Sequence, residues 1–152
     1  MAQYRAAGLG ANTAFMQAFG NTTTELDIVT QTTNLLITDT VDLVRVAGGT
    51  KLVELLIWNG DLDTGATLQF SLGYRPANSD GVLVASTTYF AAAGQTTWQA
   101  AVAGSAPTRY AFVPIDFNED VFITATITAS AAGIAASPTI TTLARGIARG
   151  IK

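Results

Sequence analysis

Residues 67–74 read TLQFSLGY, and this stretch decides the fold class because its side chains change character at every step. The apolar residues occupy the even positions from Leu68 to Tyr74, and the polar or small residues occupy the odd positions. An extended chain places such residues on opposite faces. The period of two is typical of a half-buried antiparallel strand that lies beside a neighbouring strand with one face on the core.

Segments on both sides of this stretch carry further strand patterns. Lys51–Trp58 is apolar on both faces except at Glu54, which predicts a central strand with Trp58 in the core. In Val121–Ser130, Ile and Ala alternate with Thr and Ser, so the former are expected to face the core. Ser86–Val102 contains good helix formers but is split by a glycine, so one or two short helical turns are expected there. Further strands are predicted at 37–45, 109–115 and 139–144.

These elements predict an all-β chain of one domain. About seven or eight short strands, separated by turn signals every 8 to 12 residues, are typical of an antiparallel β-sandwich, and a jelly-roll-like sandwich is the expected form. The predicted organisation is an extended N-terminal arm at 1–24, the sandwich domain at 25–144 and a short basic C-terminal tail at 145–152.

The composition of the 152 residues excludes several classes of function. The chain has no cysteine and no histidine, so a thiolate nucleophile, a disulfide framework and the commonest neutral metal ligand are all absent. Charged residues make up 12% of the sequence, about half the usual share for soluble domains, and this weakly charged surface suits packing against other protein. All 11 acids lie between Glu25 and Asp120, and the few basic residues at the two ends are too sparse for nucleic-acid binding.

No segment predicts export or a membrane span. Arg5 and several amides interrupt the first 20 residues, so no continuous apolar stretch of a secretory signal is present there. The uncharged run from Val121 to Ala144 contains a proline and many threonines and alternates with period two, so strand is the expected structure.

The two ends carry the candidate interaction residues. In the arm, glycines oppose helix formation and spaced apolar residues favour contact with a partner surface; the alternative is that the arm's aromatic residues pack on their own domain. The tail repeats Ala-Arg-Gly-Ile, which in an extended chain would place Arg and Ile on one face and add to the sheet edge of a neighbour; the alternative is a solvated basic tail. The candidate contacts with a partner are Tyr4, Arg5, Phe15, Phe19, Arg145, Ile147, Arg149 and Ile151.

Two motifs suggest chemistry, and each has a simpler structural explanation. Asp63-Thr64-Gly65 resembles the active-site loop of retroviral-type aspartic proteases, but a turn precedes it and no supporting Gly-containing segment follows, so turn chemistry is preferred. The oxygen-rich turns at 59–63 and 116–120 are compatible with a surface Ca²⁺, although the spacing of an EF-hand is not met. No catalytic residue, metal ligand or cofactor is assigned, and the chain is not expected to be an enzyme.

Aromatic residues offer a third possibility, a sugar-binding face. Most of them share a strand face with apolar neighbours and are expected in the core, whereas Trp98 lies in a glycine-flanked segment and is the freest candidate. A carbohydrate-binding sandwich therefore remains an alternative function.

Three segments together resemble a widespread type of tailed-bacteriophage virion structural protein. These segments are LVELLIWNGDLDTGATLQFSLGY at 52–74, STTYFAAAGQ at 86–95 and RYAFVPIDFNEDVFITATITASAAGIAASPTITTLARG at 109–146. The resemblance lies in a strand ending in Asp-Leu-Asp-x-Gly-x-x-Leu, a small-residue segment ending in Gly-Gln and a Thr/Ala-rich final hairpin. In such proteins the Asp-Thr-Gly stretch is an interstrand turn.

The resemblance implies a head decoration, or cement, protein that coats and stabilises the outside of the capsid. The implied partners are the major capsid protein and further copies of the same chain, with a trimer as the expected oligomer, and neither nucleic acid nor a membrane is implied. Because tail and neck proteins share β-sandwich folds, a tail or neck component remains the alternative within the virion.

Overall fold

A computed structural model describes residues 22–100 and 106–149 and the backbone of 3–5. Ten strands account for nearly all regular structure, and the only helix in these ranges is one 3-10 turn at Thr97–Gln99. The strands are β1 Gln3–Arg5, β2 Thr22–Thr30, β3 Thr40–Val46, β4 Thr50–Asn59, β5 Gln69–Pro76, β6 Ser86–Gln95, β7 Thr108–Tyr110, β8 Ile115–Phe117, β9 Val121–Ala129 and β10 Thr139–Ala148.

The strands form two sheets. The first sheet has the order β1-β3-β9-β5-β6, and the second sheet has the order β2-β10-β4-β7, with β8 also pairing with β4. All strand pairs are antiparallel except β1 with β3. When β7 and β8 are counted as one interrupted strand, the eight strands from β2 onward have the alternating two-sheet order of a jelly roll. The predicted jelly-roll-like, all-β sandwich is confirmed.

The core lies between the two sheets and is filled by the alternating apolar residues. From β5, Phe70 and Leu72 are fully buried, and from β9, Ile123, Ala125 and Ile127 are buried with them. These are the inward positions that the period of two predicted in both segments. Many paired strands are far apart in the sequence. Within its sheet β5 pairs with β9 as well as with β6, whereas β4, the strand before it, belongs to the other sheet.

Two local predictions differ from the structure, and a third is met in part. Of Ser86–Val102, where one or two short helical turns are expected, Thr97–Gln99 forms one 3-10 turn, whereas Ser86–Gln95 is strand β6 because pairing with β5 outweighs the helix propensity of its alanines. Trp58, expected in the core, is half-buried on the outer surface, since a bulge in β4 near Val53 shifts the parity of the following residues. The predicted strand 109–115 is divided into β7 and β8.

Candidate interaction surface

The first part of the predicted arm lies on its own sheet. Tyr4 and Arg5 belong to β1, whose backbone pairs with Val41 and Asp42 of β3 in the same chain. The strand β2 begins at Thr22, so residues 22–24 of the predicted arm are part of the second sheet. Phe15, Phe19 and Ile151 lie outside the described residues.

The first residues of the predicted tail are inside the sandwich. Strand β10 continues past the predicted boundary at 144 to Ala148 and pairs with β2 on one side and β4 on the other. Since both edges of β10 are already paired, residues 145–148 cannot add to the sheet edge of a neighbour, and that prediction is wrong. The backbone N–H of Arg149, the first residue after β10, also donates to Gly49 O at 2.7 Å, and this bond holds Arg149 on its own domain.

The side chains of this segment do alternate as predicted. Arg145, Ile147 and Arg149 are exposed, whereas Ala144 and Gly146 are buried. Gly146 is required by close packing, because a Cβ there would lie 2.3 Å from Cγ2 of Thr50. The exposed members therefore belong to the surface of the second sheet, which we call the outer face.

The outer face has two adjacent apolar rows that run across the strands. Strand pairing places Leu26 beside Leu143 and Leu143 beside Leu56 in one row, and Ile28 beside Thr141 and Thr141 beside Trp58 in the next. Leu26 and Ile28 are 59% and 45% exposed, and Ile147 further along β10 is 41% exposed. Apart from Thr141, the residues of the two rows form an apolar surface on three neighbouring strands.

An ionic row borders the apolar rows. Glu54 accepts from Arg145 at 3.0 Å and lies 3.3 Å from the guanidinium of Arg109, so one carboxylate joins β10 to β7 across β4. Arg149 forms a separate pair with Asp116 at 3.4 Å. Exposed pairs of this kind contribute little to folding stability, and they leave both signs of charge at the border of the face.

Strand β2 has the reverse of the usual polarity. Its inward residues include the buried acids Glu25 and Asp27, while its outward residues include the exposed Leu26 and Ile28. Burial raises the pKa of Glu25; Arg45 partly offsets this, and Asp120 and Asp27 add to the rise. The alternation of 25–28 is visible in the sequence, but which of these residues face inward depends on the register of β2 against β10, which also turns Val29 inward.

Asp63 is a structural group that ties two loops together. Its Oδ1 accepts backbone N–H groups of Gly65 at 3.0 Å and Ala132 at 2.9 Å, and its Oδ2 accepts those of Thr67 and Leu68. Burial opposes ionisation, but the four N–H donors outweigh it and lower the pKa of Asp63 to about 2. The carboxylate joins the β4–β5 loop to the β9–β10 loop. Because both of its oxygens accept backbone N–H groups, it is not placed to share a proton with a second carboxylate.

The two oxygen-rich turns are also occupied by protein contacts. Asp61 accepts the N–H of Asp63 at 3.1 Å, and Asp120 accepts that of Gly48 at 2.7 Å and pairs with Arg45. For Asp120, burial opposes a lower pKa, but the Gly48 N–H and the Arg45 guanidinium outweigh it and lower the pKa. Within the described ranges, no group of three or more acidic residues is placed to hold a metal ion.

Several aromatic residues, including the candidate sugar platform, lie inside the sandwich. Trp98 is 0% exposed and stacks on Phe70 with ring centroids 4.0 Å apart, so it cannot be a sugar platform. Tyr74, Phe90 and Phe117 form edge-to-face contacts in the same core. The expectation that Trp98 is freely accessible is wrong, because the 3-10 turn packs it over β5.

Comparison with solved structures finds this fold in two phage capsids. The structure is similar to a chain in "Capsid of Ralstonia phage GP4", with a TM-score of 0.73 and 19% identity over 99% of this chain and 100% of that chain. It is also similar to a chain in "Cyanophage Pam1 capsid asymmetric unit", with a TM-score of 0.62 and 17% identity over 89% and 91% of the two chains. No protein-family model and no curated protein sequence matches this chain. In the described part of the chain no helix has the length and apolar character that crossing a membrane requires.

Proposed function

We propose that this chain is a structural protein of a phage head and, within the head, a decoration protein on the outside of the capsid. The observation that carries the proposal is the fold match over 99% of this chain and 100% of a chain from a phage capsid. Because the match extends over the full length of both chains, it concerns the whole domain and not one shared supersecondary motif.

The surface chemistry supports a structural role. The sequence has no cysteine or histidine, and its most tempting catalytic acid, Asp63, is held by four backbone donors. The exposed apolar rows of the outer face are instead suited to packing against protein. The proposed role is therefore non-enzymatic: the chain bridges neighbouring capsid subunits and stabilises the lattice.

The partners in this proposal are the major capsid protein and further copies of the chain, arranged as a small ring, with a trimer as the working form. Weak contacts repeated around a closed ring would give avidity without a large interface at any one subunit. Within the arm, Phe15 and Phe19 are proposed to contact the neighbouring subunits, together with Tyr4 and Arg5. In the tail, Arg145, Ile147, Arg149 and Ile151 are proposed as side-chain contacts only.

The experiment is rebinding to heads that lack the protein. Purified protein is added to heads from a phage in which its gene is deleted, and the particles are sedimented and heated. The proposal predicts that protein sediments with the heads to saturation and raises the temperature at which they release DNA. No co-sedimentation, or binding only to isolated tails, would refute the decoration role.

A further inference from the structure

The register of β2 is opposite to the one that burial within a single chain would favour. A shift of one residue against β10 would turn Leu26 and Ile28 inward and would turn the acids at 25 and 27 outward together with Val29, so two large apolar side chains would be buried in place of one. The strand instead pairs with β10 in an unbroken register over nine residues, with the apolar side chains outward. This arrangement is energetically favourable only if the outward side chains contact a partner.

The apolar surface continues beyond β2. Leu143, Leu56 and Trp58 extend the two rows across β10 and β4, and Ile147 lies on the same face. Scattered apolar residues on a surface need no explanation, but a contiguous patch on three paired strands marks an interaction site.

We propose that the outer face docks against the outer face of a second copy of this chain. The proposal rests on the function proposed above, because a capsid shell would hold many copies of the chain close together. Two sheets packed face to face with aligned strands are a common arrangement in β proteins, so the contact would repeat between chains the packing that exists within each chain.

The distribution of charge on the face fits a two-fold pair. The two-fold axis is placed in the plane of the contact, perpendicular to the strands and between the two apolar rows. Rotation about this axis lays Leu26 of each copy over Ile28 of the other. The ionic row of Arg145 and Glu54 then lies over the threonine row of the other copy, which contains Thr30 and Thr139. In this arrangement neither Arg145 nor Glu54 is opposed by a like charge or buried under the apolar rows, and Arg109, which pairs with Leu56, lies on β7 at the edge of the face.

The size of the face indicates a weak contact. With β7 and β8 counted as one interrupted strand, four strands spaced about 4.8 Å apart and nine residues long at about 3.4 Å each give a face of roughly 590 Å². Two such faces bury about 1,200 Å² in total, at the low end for specific interfaces, where a standard one buries about 1,600 Å². The area suits a contact between copies concentrated in a shell and gives only weak association in dilute solution.

Thiol cross-linking tests the contact, since the chain has no natural cysteine. Leu26→Cys places one thiol on the face, and Val82→Cys, at a position that is 94% exposed and outside the face, is the matched control. At about 1 mM protein with a short bismaleimide, we expect at least about tenfold more covalent dimer from Leu26→Cys than from Val82→Cys. Random collision favours the more exposed Val82 position, so equal or lower yield from Leu26→Cys would overturn the proposal.

Tryptophan quenching identifies the occupant. Trp98 is fully buried, so acrylamide quenching reports on Trp58, which lies on the face. We expect Trp58 to become protected as protein concentration rises, and Leu26→Lys, at an exposed position, to abolish this protection without changing the far-UV spectrum. Protection that survives Leu26→Lys would overturn the proposal, as would concentration-independent protection that is lost when residues 6–21 are deleted.

The two proposals fail separately. Cross-linking and quenching are measured on purified protein and do not depend on whether it binds phage heads. If neither cross-linking nor Trp58 protection is seen but the protein rebinds to heads, the proposed pairing is refuted and the decoration role is not. If the protein cross-links but does not rebind to heads, the decoration role is refuted and the pairing is not.

Discussion

Replacing Asp63 by asparagine should destabilise the protein strongly. The carboxylate accepts four backbone N–H bonds, two on each oxygen, from Gly65, Thr67, Leu68 and Ala132. An amide keeps one acceptor oxygen and presents an NH₂ group in place of the other. Whichever way the amide turns, two backbone donors face another donor.

The cost follows from those two unsatisfied donors. A buried donor left without an acceptor costs about 1–3 kcal/mol, and hydrogen bonds to a charged group are at the strong end of the range. Two such losses give a destabilisation of about 3–5 kcal/mol. This is a large share of the roughly 5–15 kcal/mol by which a domain of this kind is stable.

Urea unfolding at neutral pH, followed by tryptophan fluorescence, measures this change in the free energy of unfolding. Asp61→Asn is the matched control, because Asp61 lies two residues away and its side chain accepts the N–H of Asp63. We expect the control to cost about 1 kcal/mol or less. A loss below about 1 kcal/mol for Asp63→Asn, or a loss equal to that of the control, would refute the structural role of Asp63.

Three further predictions follow from the buried groups. Because the folded pKa of Asp63 is about 2 and the unfolded value is about 3.9, its stabilisation is fully present above pH 4 and is lost as the pH falls through 2; unfolding free energies from pH 5 to pH 2 should show this loss, and a flat profile would contradict it. Trp98→Ala should cost about 3–5 kcal/mol in urea unfolding, since the side chain is fully buried against Phe70, and a loss under about 1 kcal/mol would show that the ring is not packed. Gly73→Ala should lower the melting temperature by several degrees or prevent folding, because its Cβ would lie 1.8 Å from the carbonyl oxygen of Ser86; an unchanged melting temperature would contradict this close approach.

The regular strands could be predicted from the sequence because their patterns are local. In β5 and β9, alternation alone gives the strand and its inward face. Strand β6 could not be predicted in this way, since its alanines favour helix and only the pairing with β5 makes them a strand. Trp58 faces outward because of the bulge near Val53 earlier in β4, and no sequence pattern predicts this bulge.

The interaction surface was less predictable than the fold. The tail repeat correctly indicated that Arg145 and Ile147 share a face, but the sequence does not show that β2 and β4 flank this segment on both sides. The outward turn of Leu26 and Ile28 depends on the register with β10, a non-local property. Identification of the outer face therefore required knowledge of the strand pairing in the second sheet.

The copy number of this protein relative to the major capsid protein in purified virions tests the central claim most directly. Quantitative mass spectrometry of intact particles and of separated heads and tails would give this ratio. The decoration role predicts a ratio near one, or the ratio set by the three-fold positions of the lattice, with the protein in the head fraction. A few copies per particle, a location in the tail fraction, or absence from the virion would contradict it.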